Sequence, residues 1–301
     1  MQKQSIFKIR QLKILCFKFF FLGLSQNGAI RIELQSDDAK TYTETNKFES
    51  CSSGYQEGGS LYFGEQGEFV QTKNSFINST NLDAGTSFSI QVSEKPNYKN
   101  HANETLVYNC GSSEQVCGIT TFMLYGFIIM NECNITQNRV KQDTGGYFTA
   151  SITSDSYITC VNVIENNQTY NEFNWHSSYS SIFKVTSGNY IRNKSPNDGY
   201  LINSRSSDVF MGYCCIRENE IPNIFWAYYS TITFENSTTD NTTSYGYQTS
   251  PIFKNTDISF ENYCHLLKIE FLDSLKDKCL HSNSQNKTDE FDKFWKIYRR
   301  R

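Results

Sequence analysis

Five polar residues that recur at one position of a repeating pattern are the best candidates for acid/base chemistry in this chain of 301 residues. They are Gln137, Glu165, Arg192, Glu218 and Asp240. Clustered carboxylates with a nearby arginine can act on glycosidic bonds or hold a metal. The charge instead alternates in sign across Glu165, Arg192 and Glu218. This alternation predicts a solvent-facing ladder of ion pairs, each contributing about 0 to 1 kcal/mol.

The histidines and cysteines indicate no catalytic or metal site, because neither set has the spacing of metal ligands. The chain also contains no nucleophile elbow, phosphate-binding loop or paired-histidine zinc motif. We therefore predict no catalytic, metal or cofactor-binding residues and no cofactor. Cys110 and Cys117 are the nearest candidates for a disulfide, whereas Cys133, Cys160 and Cys214 lie in apolar runs typical of buried free thiols. The four histidines are His101, His176, His265 and His281.

Asparagine marks a repeat that explains the spacing of these residues. The segments CNITQN, VNVIEN, GNYIRN and CCIREN close at Asn138, Asn166, Asn193 and Asn219, at intervals of 28, 27 and 26 residues. Weaker copies close at Asn78, Asn109 and Asn241. Apolar residues recur three and eight positions before each strong Asn, and a Gly leads several copies about 20 residues before it. The apolar residues are Ile135, Val163, Tyr190 and Ile216, and Met130, Ile158, Val185 and Met211; the glycines are Gly59, Gly118, Gly146 and Gly199.

A period near 27 without helical periodicity is typical of one coil of a β-solenoid. We predict an all-β, right-handed parallel β-helix of about seven to eight turns with a short C-terminal capping helix. The missing leucine-rich pattern and the scarcity of hairpin turns disfavour a leucine-rich repeat, a sandwich or a propeller. Equivalent amides on successive turns, about 4.7 to 4.9 Å apart, can bond to one another. Asn also tolerates the left-handed backbone of a sharp corner, so Asn138, Asn166, Asn193 and Asn219 are predicted to form a buried structural ladder.

Four regions are predicted along the chain. Residues 1–25 combine a basic start, the apolar run ILCFKFFFLGLS and small residues before Gln26, which predicts a signal peptide; a buried or interfacial N-terminal helix is the alternative. Residues 26–57 are predicted to form an N-terminal cap, 58–262 the repeats, and 263–301 an amphipathic helix with a basic tail. No apolar run of about 20 residues near the tail indicates a membrane anchor.

The segments GGSLYF, GGYFTA, VIEN and IREN resemble the repeats of polymorphic outer-membrane-type surface proteins. It is also similar to pectin-lyase-like β-helix surface proteins of parasitic protists, over about residues 58 to 245. This resemblance implies a role at the cell surface, in adhesion or host contact. Because pectin-lyase-like folds include enzymes that cut acidic polysaccharides, a degenerate carbohydrate-active enzyme is the alternative hypothesis.

The composition and the sequons fit a secreted or surface-exposed binder. A net charge of −3 gives no basic footprint for nucleic acid. We predict a monomer that binds a cell-surface glycan or protein, with Tyr147, Tyr200 and Trp226 as candidate binding aromatics. Asn103, Asn236, Asn241 and Asn286 are expected to be the better glycan acceptors. All N-x-S/T acceptors are Asn78, Asn103, Asn134, Asn167, Asn193, Asn236, Asn241 and Asn286.

Overall fold

The computed structural model describes residues 11–15, 18–20, 28–64, 66–112, 118–153, 155–169, 171–178, 181–197 and 199–256. Within these ranges the chain is all-β and contains no helix. Its strands pair in parallel into three sheets, and each coil of the chain contributes one strand to each sheet in turn. The predicted parallel β-solenoid is therefore confirmed. The helix and basic tail predicted for 263–301 lie outside the described residues.

The strands are numbered in chain order. Sheet A contains β1 (Gln11–Leu15), β4 (Lys40–Glu44), β7 (Glu68–Thr72), β10 (Lys99–Asn103), β13 (Phe127–Asn131), β16 (Ser156–Thr159), β19 (Phe183–Thr186), β22 (Val209–Gly212), β25 (Ile232–Glu235) and β28 (Ile252–Lys254). Sheet B contains β2 (Lys18–Phe20), β5 (Lys47–Glu49), β8 (Ser75–Ile77), β11 (Leu106–Tyr108), β14 (Asn134–Thr136), β17 (Asn162–Ile164), β20 (Asn189–Ile191), β23 (Cys215–Arg217) and β26 (Thr238–Thr239). Sheet C contains β3 (Ile30–Glu33), β6 (Leu61–Gly64), β9 (Ala84–Gln91), β12 (Ile119–Leu124), β15 (Thr144–Ala150), β18 (Asn171–Ser177), β21 (Gly199–Arg205), β24 (Asn223–Tyr228) and β27 (Ser244–Tyr247).

Parallel pairing begins before the predicted repeat region. Strands β3, β4 and β5 lie within 26–57 and pair with β6, β7 and β8. Strands β1 and β2 lie within 1–25 and pair with β4 and β5. The segment expected to cap the repeats thus has the same coil geometry as the repeats. The signal peptide stays a prediction.

The predicted apolar columns fill the core. Ile135, Val163, Tyr190 and Ile216 pair in register across sheet B, and each is at most 1% exposed. A second column, in sheet A, is as fully buried and comprises Met130, Ile158, Val185 and Met211. One coil cannot cover its own apolar side chains, so stacking in register removes them from water.

A residue with a left-handed backbone directly follows each strand of sheet B from β14 to β23. Before each ladder Asn, this residue is Gln137, Glu165, Arg192 or Glu218, with φ between 53° and 57°. The expectation that the Asn itself takes the left-handed conformation is wrong. The preceding residue turns the chain, and the Asn side chain then points into the coil. A second such column, between sheets A and B, comprises Thr45, Lys73, Glu104, Glu132, Cys160, Ser187, Tyr213 and Asn236.

Two details of the sequence alignment are corrected by the register. Asn78 and Asn109 are equivalent to the left-handed Gln137 and not to the ladder, because Ile77, Tyr108 and Thr136 pair in register and the residues that follow them have φ of 53°, 50° and 56°. Asn109 Nδ2 donates to exposed Asn78 Oδ1 at 2.7 Å. The leading glycines do not stack either, since Gly199 pairs with Asn171. The glycines lie at similar distances from the closing Asn, about 20 residues, but this spacing does not reveal register shifts within sheet C such as the one between Ile119 and Thr121.

Candidate functional site

The charged column is a chain of paired side chains. Arg192 Nη2 donates to Glu165 Oε1 at 2.8 Å, and its Nη1 lies 3.6 Å from Glu218 Oε2. Glu165 also accepts from Gln137 Nε2 at 3.2 Å. Hydrogen bonds from Arg192 and then Gln137 lower the pKa of Glu165. The carboxylate that the sequence offered for acid/base chemistry is thus held ionised on the surface by its neighbours.

The Asn ladder is continuous across four coils. Asn138 donates both its backbone N–H and its Nδ2 to Asn166 Oδ1, at 2.9 and 2.8 Å. Asn166 makes the same pair of bonds to Asn193, and Asn193 makes it to Asn219. Each Nδ2 also donates to a backbone carbonyl of a preceding coil, as Asn166 does to Ile135 at 2.8 Å. Asn138, Asn166 and Asn193 are fully buried as predicted, whereas Asn219, at the end of the ladder, is half-buried. These bonds between coils give the column a structural role.

A second amide ladder lies where β14, β17 and β20 begin, and the sequence analysis missed it. Asn162 Nδ2 donates to Asn134 Oδ1, and Asn189 Nδ2 donates to Asn162 Oδ1, both at 2.7 Å. These Asn residues stand four positions before the strong Asn of each copy, and that regular spacing was the available signal.

The structure separates the glycan acceptors by exposure. Asn78 and Asn167 are exposed, and Asn236 and Asn241 are half-buried. Asn103 was expected among the better acceptors, but it is 6% exposed, so the folded chain leaves no room for a glycan on its amide. Asn134 and Asn193 are also buried, each within a ladder, and Asn286 lies outside the described residues.

Tyr147 is a core residue and not a surface anchor. Its hydroxyl lies 2.7 Å from the Tyr190 hydroxyl and 3.2 Å from His176 Nε2, and His176 Nδ1 lies 2.9 Å from Thr149 Oγ1. Thr149 donates to the Trp175 carbonyl at 3.0 Å, so its oxygen accepts from His176 Nδ1–H. Burial lowers the pKa of His176 to about 3. The network is therefore neutral and internal.

The other two predicted aromatics lie on the outer face of sheet C. Tyr200 and Trp226 are half-buried, and their rings stack with centroids 4.8 Å apart. Trp226 belongs to a column of outward residues in which Phe122, Phe148 and Trp175 are also half-buried. Phe122 stacks on Phe148 at 5.0 Å, and Phe148 stacks on Trp175 at 5.7 Å. We call this column the aromatic row; in register it comprises Phe122, Phe148, Trp175, Asn203, Trp226 and Tyr245.

Strand alternation was the signal that could have found the row. In β15 the buried Tyr147 and the half-buried Phe148 are consecutive, so the side chains point to opposite faces. The sequence reasoning chose the residue next to Gly146, and that choice selected the inward one. Because parallel strands lie about 4.8 Å apart, the five steps from Phe122 to Tyr245 span about 24 Å.

A second outward column on sheet C extends the aromatic surface. Tyr228 stacks on Tyr247 at 5.2 Å, and Trp226 meets Tyr228 edge-on at 6.0 Å. The guanidinium of exposed Arg205 lies 5.4 Å from the centre of the Tyr228 ring. Tyr245 and Tyr247 are 53% and 43% exposed, so this part of the face presents large aromatic surfaces to solvent.

Four polar atoms in the aromatic row are buried and have no hydrogen-bond partner among the described residues. They are Nδ2 and Oδ1 of Asn203 and Nε1 of Trp175 and of Trp226. Asn203 is 1% exposed and pairs in register with Trp175 on one side and Trp226 on the other. Buried polar groups of folded proteins are nearly always bonded, so an unpaired group calls for an explanation.

Cys110, Cys133, Cys160 and Cys214 form no disulfide bond among the described residues. Cys110 is buried, and its Sγ lies 3.5 Å from the Phe76 and Tyr108 carbonyl oxygens. Its suggested partner, Cys117, lies outside the described residues. Cys133 and Cys214 are buried as predicted, whereas Cys160 is half-buried at a corner. Burial raises the pKa of each of the thiols of Cys110, Cys133 and Cys214 to about 12, which makes them poor nucleophiles.

The chain matches no known protein family, and no characterised protein or solved structure matches it. The resemblance to β-helix surface proteins therefore rests on the repeat text alone. In the described ranges, no helix is long and apolar enough to cross a membrane. The same ranges hold no group of three or more His, Cys, Asp or Glu residues arranged to bind a metal ion.

Proposed function

We propose that this protein is a secreted or surface-displayed solenoid that binds an extended carbohydrate through the outer face of sheet C, without catalysis. The observation that carries the proposal is the aromatic row, in which rings from successive coils stand in one register column. A solenoid repeats its surface along one axis, so the row is suited to a polymer whose units also repeat.

Aromatic rings suit such a ligand for a physical reason. The C–H faces of a pyranose are apolar and pack on aromatic surfaces, which are rigid and lose little conformational entropy on binding. Phe122, Phe148 and Trp175 offer a continuous strip, and Arg205 and Tyr228 add hydrogen-bonding groups beside it. Two further features support the proposal: the exposed acceptors Asn78 and Asn167, and the resemblance to surface β-helix proteins.

The pairing of the charged column favours binding over cleavage. Glycoside cleavage needs one carboxyl group free to give or take a proton near neutral pH. Glu165 is instead bonded to Arg192 and Gln137, which hold its pKa below the usual range. The degenerate enzyme stays the alternative to be tested.

The full chain should be expressed through a secretory pathway, purified and applied to an array of polysaccharides and surface glycans. A variant with Phe122→Ala, Phe148→Ala and Trp175→Ala should lose at least tenfold in affinity for the ligand that wild type retains. A matched control replaces three aromatics elsewhere on the surface, Tyr157, Phe210 and Tyr213, and should bind like wild type.

Equal binding by the two triple variants would overturn the sheet C assignment. Release of reducing ends or unsaturated sugars from the retained ligand would overturn the non-enzymatic assignment. Tyr147 is left unchanged because its removal would open a cavity in the core.

A further inference from the structure

The aromatic row has one polar interruption, at Asn203. Its neighbours in register, Trp175 and Trp226, are half-buried, while the preceding residue in the strand, Ile202, belongs to the core. Asn203 therefore lies on the outer side of sheet C, between Trp175 and Trp226 in the register column. Tyr200, from the same strand, stacks on Trp226 with ring centroids 4.8 Å apart.

The unpaired atoms of Asn203, Trp175 and Trp226 include both hydrogen-bond donors and an acceptor. The amide offers one acceptor and a donor group, and each indole offers one donor. Leaving such buried groups without a hydrogen-bond partner lowers the stability of the fold. Ser89, which pairs in register with Phe122 just beyond the end of the row, carries no such cost because its hydroxyl donates to Glu57 Oε2 at 2.9 Å.

We propose that Asn203, Trp175 and Trp226 form a subsite for one neutral pyranose ring with two adjacent hydroxyl groups. This inference rests on the proposed carbohydrate-binding function and gives it a specific site. The Asn203 amide can bind two adjacent hydroxyl groups: Nδ2 donates a hydrogen bond to one oxygen, and Oδ1 accepts one from the other hydroxyl. The two indole N–H groups donate to further oxygens, and the indole surfaces pack on the ring's C–H faces.

The four unpaired atoms are uncharged, which favours a neutral sugar over a uronate. Arg205, two residues along the same strand, has its guanidinium 5.4 Å from the centre of the Tyr228 ring. Because Asn203 is 1% exposed, a sugar reaches its amide only when half-buried side chains of the outer face change rotamer, which they do on a nanosecond timescale.

The subsite makes a prediction that needs no ligand. Asn203→Leu removes two unpaired buried atoms and fills the same space with apolar groups, so it should raise the melting temperature by several degrees. Asn166→Leu, in the ladder, should lower it. A lower melting temperature for Asn203→Leu would show that the fold uses the amide, and the subsite would be rejected.

Binding is tested with methyl glucoside, methyl mannoside, methyl galactoside, glucuronate and cyclohexanol, monitored by the indole N–H signals in nitrogen-15 NMR. At least one neutral pyranoside should shift the signals of Trp175 and Trp226, which Trp→Phe variants assign. Cyclohexanol has one hydroxyl and should bind at least tenfold more weakly, as should the pyranoside to Asn203→Leu. Ser89→Ala should leave binding unchanged.

The outcomes separate this inference from the general proposal. If polysaccharide binding depends on Phe122, Phe148 and Trp175 but Asn203→Leu binds normally, the subsite is wrong and the row stands. If glucuronate alone shifts the indole signals, the neutral-sugar assignment is wrong. If no probe shifts them, the subsite is rejected whatever the array shows.

Discussion

Asn166 donates two hydrogen bonds to the same oxygen of Asn193, one from its backbone N–H and one from its side-chain Nδ2, each 3.1 Å long. This double contact joins two coils through one amide. It also fixes the backbone directly after Glu165, whose φ is 57°. The ladder therefore holds the coils together and holds the corners in a conformation that most residues avoid.

Replacing Asn166 by Leu should destabilise the protein by about 2 to 3 kcal/mol. The change leaves the backbone N–H and Nδ2 of Asn138 without their acceptor in a buried site. Urea denaturation followed by circular dichroism would measure the loss. Asn167→Ala, one residue along and exposed, is the matched control and should change stability by less than about 0.5 kcal/mol. Equal stability of the two variants would contradict a structural role for the ladder.

The stability of variants at Gln137 should depend on how readily the new residue adopts a left-handed backbone and not on the contacts of its side chain. Gln137 is at a left-handed corner with φ of 56°, a conformation that Gly adopts freely and β-branched residues resist. Gln137→Gly should therefore be more stable than Gln137→Val by about 1 to 2 kcal/mol. At Thr136, within strand β14, the same two substitutions should rank in the opposite order. Matching ranks at both sites would refute the corner assignment.

The sequence predicted most of the interior of the fold because the period of the repeat determines it. Ile135 and Val163 could be placed in one column since apolar side chains of stacked coils must coincide. The outer face could not be deduced as reliably. Whether Tyr147 or Phe148 points outward depends on a one-residue register choice, and sheet C contains a shift that spacing does not reveal. The missing hydrogen bonds of the Asn203 amide could not be predicted from the sequence either, because the partners of a side chain are known only once the neighbouring coils are placed.

Acid should destabilise the protein through its buried histidines. Burial lowers the pKa of both His176 and His101 to about 3 in the folded chain, against 6.5 when unfolded. Between these values the unfolded chain binds more protons, so stability is full above about pH 6.5 and is lost as pH falls toward 3. Each histidine should lower the free energy of unfolding by about 1.4 kcal/mol per pH unit within that window.

Denaturant midpoints measured from pH 7 to pH 4 would test this slope. His176→Gln lacks one of the two described buried histidines, so its stability at pH 7 should fall. Its slope between pH 6.5 and about 5, above the range in which carboxylates titrate, should become about half as steep. A variant with the wild-type slope would show that His176 is not buried in its neutral form.

Glycan occupancy should follow burial and not the presence of a sequon. If the chain is secreted, Asn78 and Asn167 should be occupied, because both are exposed at or beside a corner. Asn134 and Asn193 should be unmodified in the folded product because both side chains are buried within a ladder. A glycan on Asn193 would also remove a hydrogen that its Nδ2 donates to the Val163 carbonyl. Asn103 should be empty as well, at 6% exposed. Glycopeptide mapping of protein from the medium would give each occupancy directly.

Asn193→Gln provides the sharper control: it should reduce the secreted yield by disturbing the ladder while leaving the glycan mass unchanged. Loss of one glycan with normal yield would instead mean that Asn193 is carried outside the ladder in the mature protein.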